Sequence, residues 1–368
     1  MKKKNLCKTL VKTMCIVLGI LILALLAYIV YLYASYYRIE DNQELVVEAP
    51  VDDTTTGAAA VLATDTEYSA VTYNIGFGAY LPDYSFFMDG GTSSWAESPE
   101  TVQYAINGAG ELVKSLDPDF ALIQEIDLDA TRSYHTDEYE MLRNLLPEYT
   151  TVFAQNYDSA FLFYPFTQPH GSSRAGLGLF SKYPVSSALR RSFPISTSFS
   201  KFFDLDRCYS VSRIPVDNGK ELVIFNLHMS AYGNSDAIRK GQIEMLCSDM
   251  QAEYKAGNYV LCGGDFNHDL KASEEDTESC ESWAFPFPRT ELPEHFAFCL
   301  DLLSSEEKEA LWNSARNADM EYVPGVTYTV TLDGFIISDN IECLSYENIN
   351  TGYSYSDHDP VKVDFVLK

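Results

Sequence analysis

The apolar positions change rhythm twice along this 368-residue chain. From Thr13 to Tyr37 there is no charged residue, and Met14 to Ala34 is apolar on every face. A bilayer-spanning helix needs about 20 such residues, whereas a secretory signal has an apolar region of about 7–15 and a small-residue cleavage site. Bulky Tyr28, Tyr31 and Tyr33 crowd the end of the run. The pattern therefore predicts an uncleaved transmembrane anchor over 13–37. Lys2, Lys3, Lys4, Lys8 and Lys12 precede it. They predict a cytoplasmic basic tail over 1–12 and a single-pass cell-membrane protein whose C-terminal bulk lies outside the cytoplasm. Residues 38–67 have no sustained period. They are rich in Glu, Asp, Thr and Ala, with Pro50 and a Thr54–Thr56 run, and predict a flexible acidic linker.

Beyond Ser69, short apolar runs alternate with helical stretches. Strands are predicted at 70–75, 120–125, 176–181, 208–216, 221–228, 259–265, 333–338 and 361–366. Helices are predicted from Pro99 to about Ser115, with Ser98 as cap, and at 137–146, 235–256 and 305–317. Alternating strands and helices rich in Val, Ile, Leu and Phe imply one layered α/β domain over 68–368, with covered sheets. Segments 77–97, 155–175 and 266–300 are predicted as long loops. Their aromatics, such as Phe161-Leu-Phe-Tyr-Pro-Phe166 and Trp283-Ala-Phe-Pro-Phe-Pro288, are expected to pack mainly on their own domain.

Charge narrows the partners. Residues 41–368 hold 20 Lys+Arg against 52 Asp+Glu, a formal charge of −32. Such a surface repels polyanions and disfavours a nucleic-acid substrate, whose affinity comes largely from phosphate neutralisation. The eight cysteines follow neither a CxxC zinc pattern nor a mini-protein framework; Cys262, in an apolar run, is expected to be a buried free thiol.

Polar clusters recur where the apolar strands end. They are Tyr73-Asn74, Gln124-Glu125, Asn226-Leu227-His228, Gly263-Gly264-Asp265-Phe266-Asn267, Leu332-Asp333-Gly334-Phe335-Ile336 and Ser356-Asp357-His358-Asp359-Pro360. A carboxylate following Phe-Ala-Leu-Ile is costly unless it sits at a strand mouth or meets a cation. Taken separately, each has an ordinary reading: a turn Asn, a hydrogen-bonded structural His. His135, His170, His268 and His295 have no motif context, and His268 is expected to be exposed.

The ordered set resembles the endonuclease/exonuclease/phosphatase (DNase I-like) superfamily, which includes pancreatic-type deoxyribonucleases, abasic-site endonucleases, inositol-phosphate 5-phosphatases and neutral sphingomyelinases. Gly-Asp-Phe-Asn and Ser-Asp-His-Asp-Pro are its most specific segments, and the likeness covers about 69–368. It implies a four-layer α/β sandwich of two stacked mixed sheets flanked by helices, and a Mg²⁺-dependent phosphoester hydrolase, with Mn²⁺ as the alternative ion. It implies Glu125, Asn74 and Asp357 around the metal, and Asp265 as the group that orients or deprotonates the attacking water. Asn267 would donate to a non-bridging oxygen, His358 would bind phosphate with Asp333 fixing its tautomer, and His228 would be a second phosphate-side histidine or the leaving-group acid. Expected partners are a phosphoester substrate, from nucleic acid, a lipid head group or a small molecule, and the bilayer through the N-terminal helix. The alternative is a catalytically inactive surface binding module of the same fold. Oligomeric state and disulfide pairing are not readable from the sequence.

Overall fold

A computed structural model describes residues 2–52, 61–202, 204–230, 236–273 and 284–368. The Thr54–Thr56 run, Cys280 and Trp283 lie outside the described residues. Two compact units divide at Arg38/Ile39. The first holds helix α1 (Lys2–Ser35). Within it, Leu6–Ser35 has a mean hydropathy of 2.9 and is long and apolar enough to cross a membrane.

The second unit runs in the order β1 (Gln43–Glu44), β2 (Val47–Glu48), β3 (Glu67–Asn74), α2 (Pro99–Leu116), β4 (Phe120–Ala130), α3 (Glu138–Leu145), β5 (Thr150–Asp158), β6 (Ser173–Ser181), β7 (Ser187–Ser192), β8 (Cys208–Pro215), β9 (Glu221–His228), α4 (Asp236–Lys255), β10 (Tyr259–Asp265), β11 (Phe296–Phe298), α5 (Ser305–Ala310), β12 (Ala315–Arg316), β13 (Thr329–Val330), β14 (Asp333–Ser338), β15 (Ile341–Asn348) and β16 (Val361–Leu367). One seven-stranded sheet has the order β15-β16-β3-β4-β6-β5-β2, the other β1-β7-β8-β9-β10-β14-β11. Tyr68, Ala70, Phe120, Leu122 and Val152 of the first sheet share a core with Val211, Leu222, Ile224, Leu261 and Phe335 of the second. On the outer face of the first sheet, Val102, Ile106, Ala109 and Val113 of α2 pack with Leu142 of α3 over Ala121 and Ile123. Helix α4 contributes Ile243, Leu246 and Met250 to the shared core. The result is a four-layer α/β sandwich.

Local chemistry explains the element starts. The Ser98 side chain accepts the Thr101 N–H at 3.1 Å, with Pro99 at the first helical position. Asp137 caps α3 through the Glu140 N–H at 3.0 Å. The helix expected over 305–317 stops at Ala310, although Ser304 and Glu307 form a full capping box. Residues 315–316 leave it as a strand paired with β13 and bridge His358, so tertiary pairing overrides helical propensity there. Strands β5, β7, β11, β13 and β15 were not predicted either. Residues 155–158 and 173–175, expected in a loop, belong to β5 and β6. Cys262 is buried and free, as expected.

The linker reading over 38–67 also needs correction. Gln43–Glu44 pairs with β7 and Val47–Glu48 with β5, so this acidic segment adds an edge strand to each sheet. Arg190 explains the docking. Its side chain is fully buried. Nε donates to Gln155 O at 2.7 Å, Nη1 to Glu40 O at 3.2 Å and to the Ser192 hydroxyl, and Nη2 to Asp206 O at 2.9 Å. The Asp206 carboxylate accepts the Ile39 N–H at 2.7 Å. One guanidinium thus gathers carbonyls from three separate segments. Arg190→Met, which leaves them unpaired and buried, is expected to cost about 3 kcal/mol or more. Urea unfolding of the full chain checks this; a loss below about 1 kcal/mol means the segment docks by other means.

Candidate active site

Three of the candidate residues lie on one rung of the second sheet. Strand β10 runs parallel to β9 with Asp265 opposite His228, and antiparallel to β14 with Asp265 opposite Asp333. Neighbouring strands lie about 4.8 Å apart, so residues distant in sequence become a contiguous row. Gly264 makes the rung feasible. Its φ is +145°, and a Cβ there would lie 2.1 Å from Leu227 O. Only glycine lets β9 and β10 pair this closely just before Asp265.

The first sheet supplies Asn74 and Glu125. Strand β4 shifts register between Ile123 and Ile126, and Glu125 adopts φ +56° within that bulge. A bulge re-aims a side chain, and here it turns a carboxylate out of a continuous apolar strand. Asn74 Nδ2 donates to Glu125 Oε1 at 3.2 Å and to Asp265 Oδ2 at 3.1 Å. Its Oδ1 accepts the Gly76 N–H at 3.0 Å. Asn74 therefore bridges carboxylates of the two sheets with its donor, and its oxygen is engaged in the following turn. Gln124 and Asn226, in the same motifs, do structural work: Gln124 Nε2 donates to Asn226 Oδ1 at 2.8 Å across the sheet interface.

The C-terminal turn closes the site. Ser356 Oγ donates to Asn74 O at 2.8 Å and accepts the His358 N–H at 3.2 Å. His358 Nδ1 meets Asp333 Oδ2 at 2.7 Å, and the same oxygen accepts the Ser314 hydroxyl at 2.7 Å. His358 Nε2 lies 3.9 Å from Asp265 Oδ2. Asp359 faces away from this chemistry: its carboxylate accepts the Trp312 indole N–H at 2.8 Å and shapes the turn. Asn267, at φ +50°, donates its backbone N–H to Asp265 Oδ1 at 2.8 Å and an amide hydrogen to Met229 O at 2.9 Å.

The environment splits the titrating groups. Burial opposes the charged form of His358, but Asp333 and then Asp265 outweigh it and raise its pKa well above the usual value. The two histidines are thus polarised oppositely, because burial, then the charges of Arg207 and His358, push His228 well below its usual value and keep it neutral. Its Nε2 lies 3.5 Å from Asp265 Oδ2 and 3.8 Å from Glu125 Oε1. Asp265 is pushed up to about 7, first by burial and then by Asp333, against the pull of His358. Asp357 is raised by burial, with Glu125 adding to it.

Asp265, Asp333 and His358 offer ligand-type atoms within 4.8 Å of one another. Because the His358–Asp333 pair already satisfies itself as imidazolium on carboxylate, it is a poor metal site. The uncompensated acids are Glu125, Asp357 and Asp265. Three carboxylates converging at one cavity, with no cationic partner hydrogen-bonded to them among the described residues, are what a hard divalent cation relieves, so the residues present fit such an ion.

A cavity of about 350 Å³ opens over this set, lined also by Phe77, Tyr80, Phe86, Asp89, Tyr157 and His170. Sequence reading missed Ser314, Asp89, His170 and three cavity arginines, Arg132, Arg207 and Arg316, because none stands in a motif. His268 is buried rather than exposed, its Nδ1 2.6 Å from Phe266 O. The loop aromatics divide: Phe86 is buried beside His170, whereas Phe166 is 85% exposed.

Asp89 gives a pH test. Burial first, then Asp357, Glu125 and Asp319, push its carboxyl up to about 7 from an unfolded value near 3.8. Its ionisation opposes folding: the cost is absent below pH 3.8, grows above it and is complete above about 7. Asp89→Asn is expected to stabilise the chelator-treated protein by about 1–2 kcal/mol at pH 8, discounted for partial solvation, and by little at pH 4. Equal benefit at both pH values in urea melts defeats this reading.

Comparison with known proteins agrees with the geometry. No curated protein matches the chain in sequence. A structure of an endonuclease/exonuclease/phosphatase from Beutenbergia cavernae is 15% identical with TM-score 0.55, covering 82% of this chain and 72% of that one. One from Bacteroides vulgatus is 16% identical with TM-score 0.53, covering 83% and 100%. The structure of ANGEL2, described as a 2′,3′-cyclic phosphatase, is 12% identical with TM-score 0.56, covering 82% and 96%. At these identities the likeness is one of fold. A family model matches residues 71–301, more than half of the sequence. With the strand-end motifs gathered at one cavity, that match shows that the chain belongs to the endonuclease/exonuclease/phosphatase family.

Proposed function

We propose that this chain is a Mg²⁺-dependent phosphoester hydrolase, tethered by its N-terminal helix with the catalytic unit outside the cytoplasm. The observation that carries the catalytic reading is the junction of the two sheets. Asn74 and Glu125 from one sheet meet Asp265 from the other, beside the His358–Asp333 pair. Glu125 and Asp357, with Asn74 beside them, would hold the cation, which supplies charge neutralisation at a phosphate oxygen. Asp265 orients the attacking water and takes its proton; a carboxylate that titrates near neutrality suits that task. The cationic His358 binds the phosphate, and Asp333 fixes which ring nitrogen faces it. One amide hydrogen of Asn267 is held by Met229 O, which aims the other as a donor to a non-bridging oxygen. The neutral His228 suits hydrogen bonding to the phosphate better than proton delivery to the leaving group. The five N-terminal lysines support the outward orientation.

The test is hydrolysis by the full-length chain in detergent, with Mg²⁺ or Mn²⁺, across bis-p-nitrophenyl phosphate, DNA, RNA, sphingomyelin, phosphatidylinositol phosphates and nucleotides. Metal-dependent release from at least one is expected. An inert protein across the whole panel favours the surface binding module instead.

A further inference from the structure

Resting on that reading, we infer that Arg207 forms an anion subsite beside the reacting centre, so that the substrate is a small phosphoester carrying a second anionic group, phosphate or carboxylate. Among the described residues four arginines are buried, of which Arg132, Arg207 and Arg316 line the cavity, and three of the four are engaged within the chain. Arg190 is satisfied by carbonyls, as described. Arg132 grips Asp127 with two arms, at 3.1 and 2.8 Å, and stacks 3.6 Å over the Phe77 ring. Arg316 donates both terminal nitrogens to carbonyls, at 3.1 Å to Asn317 and 2.8 Å to Leu81. Arg207 differs. It is 6% exposed, and its Nε and Nη1 find no hydrogen-bond partner among the described residues. Its neighbour Asp206 turns Oδ2 to the Ile39 N–H, 3.8 Å from Arg190, and neither Nε nor Nη1 of Arg207 bonds to it.

Leaving two nitrogens of a desolvated guanidinium without an acceptor is costly. Such a group persists where a ligand supplies the missing charge. Arg207 lines the same cavity as His228, Asp265 and Asn267. It is surplus to the set assigned to the reacting phosphate. Its planar fork matches a carboxylate or phosphate in two-point contact. The rest of the wall, Phe77, Tyr80, Phe86 and Tyr157, suits an apolar or ring portion of a small molecule. A polymer's successive phosphates would each need a cation, and among the described residues only Arg207 of the cavity arginines has both Nε and a terminal nitrogen without a partner. The formal −32 of residues 41–368 repels polyanions at range, whereas one buried arginine selects a compact anion at contact.

The test needs no turnover. Full-length protein in detergent and chelator, free of phosphate and sulfate, is titrated calorimetrically with inorganic phosphate and pyrophosphate. Wild type is expected to bind pyrophosphate with one phosphate at His358 and the other at Arg207, and Arg207→Gln to bind it at least about tenfold more weakly, which corresponds to about 1.4 kcal/mol. Arg207→Lys should recover part of the loss. Asp265→Asn should bind no more weakly than wild type, since it only removes a nearby negative charge, which separates the subsite from the hydrolase reading: an inert protein that still binds through Arg207 leaves the subsite standing. Melting adds a readout that a structural arginine would move the other way. Arg207→Met should keep or raise Tm in the anion-free buffer. Anion binding equal in wild type and Arg207→Gln, no binding by wild type, or a Tm several degrees lower in Arg207→Met each overturns the inference.

Discussion

Replacing Asp265 by Asn is expected to lower turnover by about 10³-fold or more while leaving the protein folded. The change is isosteric. An amide oxygen can still accept the Asn267 N–H that the carboxylate takes at 2.8 Å. What is lost is the base. Two opposing effects keep stability near wild type. Removing a buried charge next to Asp333 relieves repulsion, and turning an amide NH₂ toward the Asn74 Nδ2 costs a hydrogen bond, on the order of 1 kcal/mol. Initial rates on bis-p-nitrophenyl phosphate and a thermal melt decide the matter. A variant retaining more than a tenth of wild-type rate removes Asp265 from the chemistry. One that loses both rate and fold indicates a structural acid.

Stripping the metal should have an effect of the same order, and Glu125 should set how readily it returns. A chelator is expected to abolish hydrolysis and added Mg²⁺ to restore it. In Glu125→Gln the concentration for half-maximal activity should rise by about 10–100-fold, the range seen when a metal site loses one supporting group. The physical reason is local. Glu125 sits at φ +56° in a bulge that turns this side chain out of the apolar strand, and Asn74 steadies one of its oxygens. Gln keeps the shape and removes the charge, so a hard cation loses its best donor while the fold stays intact. Metal titrations of rate for both proteins are the check. Unchanged metal dependence in Glu125→Gln moves the cation elsewhere, with the Asp265, Asp333 and His358 group the first place to look.

The opposed histidines bear on both experiments. His358 stays cationic because Asp333, itself held by Ser314, lies at 2.7 Å. His228 is neutral because it is buried and faces Arg207. Two rings close to one carboxylate thus carry different charges, and that difference depends on neighbours from strands far away in the chain.

That dependence marks where sequence reading stops. Apolar periodicity and cap chemistry were enough to place α2, α3, the apolar N-terminal helix and eight of the strands, because those signals are local. Ser98 caps the helix that Pro99 begins, and Val102, Ile106, Ala109 and Val113 line one of its faces. The motif residues were legible for the same reason, as polar groups stranded at the ends of apolar runs. Their roles were not. Only strand register puts His228, Asp265 and Asp333 on one rung, and only the stacking of two sheets lets Asn74 reach both Glu125 and Asp265. The edge strands at 43–44 and 47–48 were invisible because their stability comes from a partner strand and from Arg190, not from their own composition. The helix predicted to 317 ended early because Ala315 and Arg316 find strand partners that no local rule contains. Arg207 looks like any other charged residue in the sequence. The tertiary structure alone buries it with two guanidinium nitrogens unpartnered among the described residues, because burial and partnership are properties of what surrounds a side chain rather than of the side chain itself.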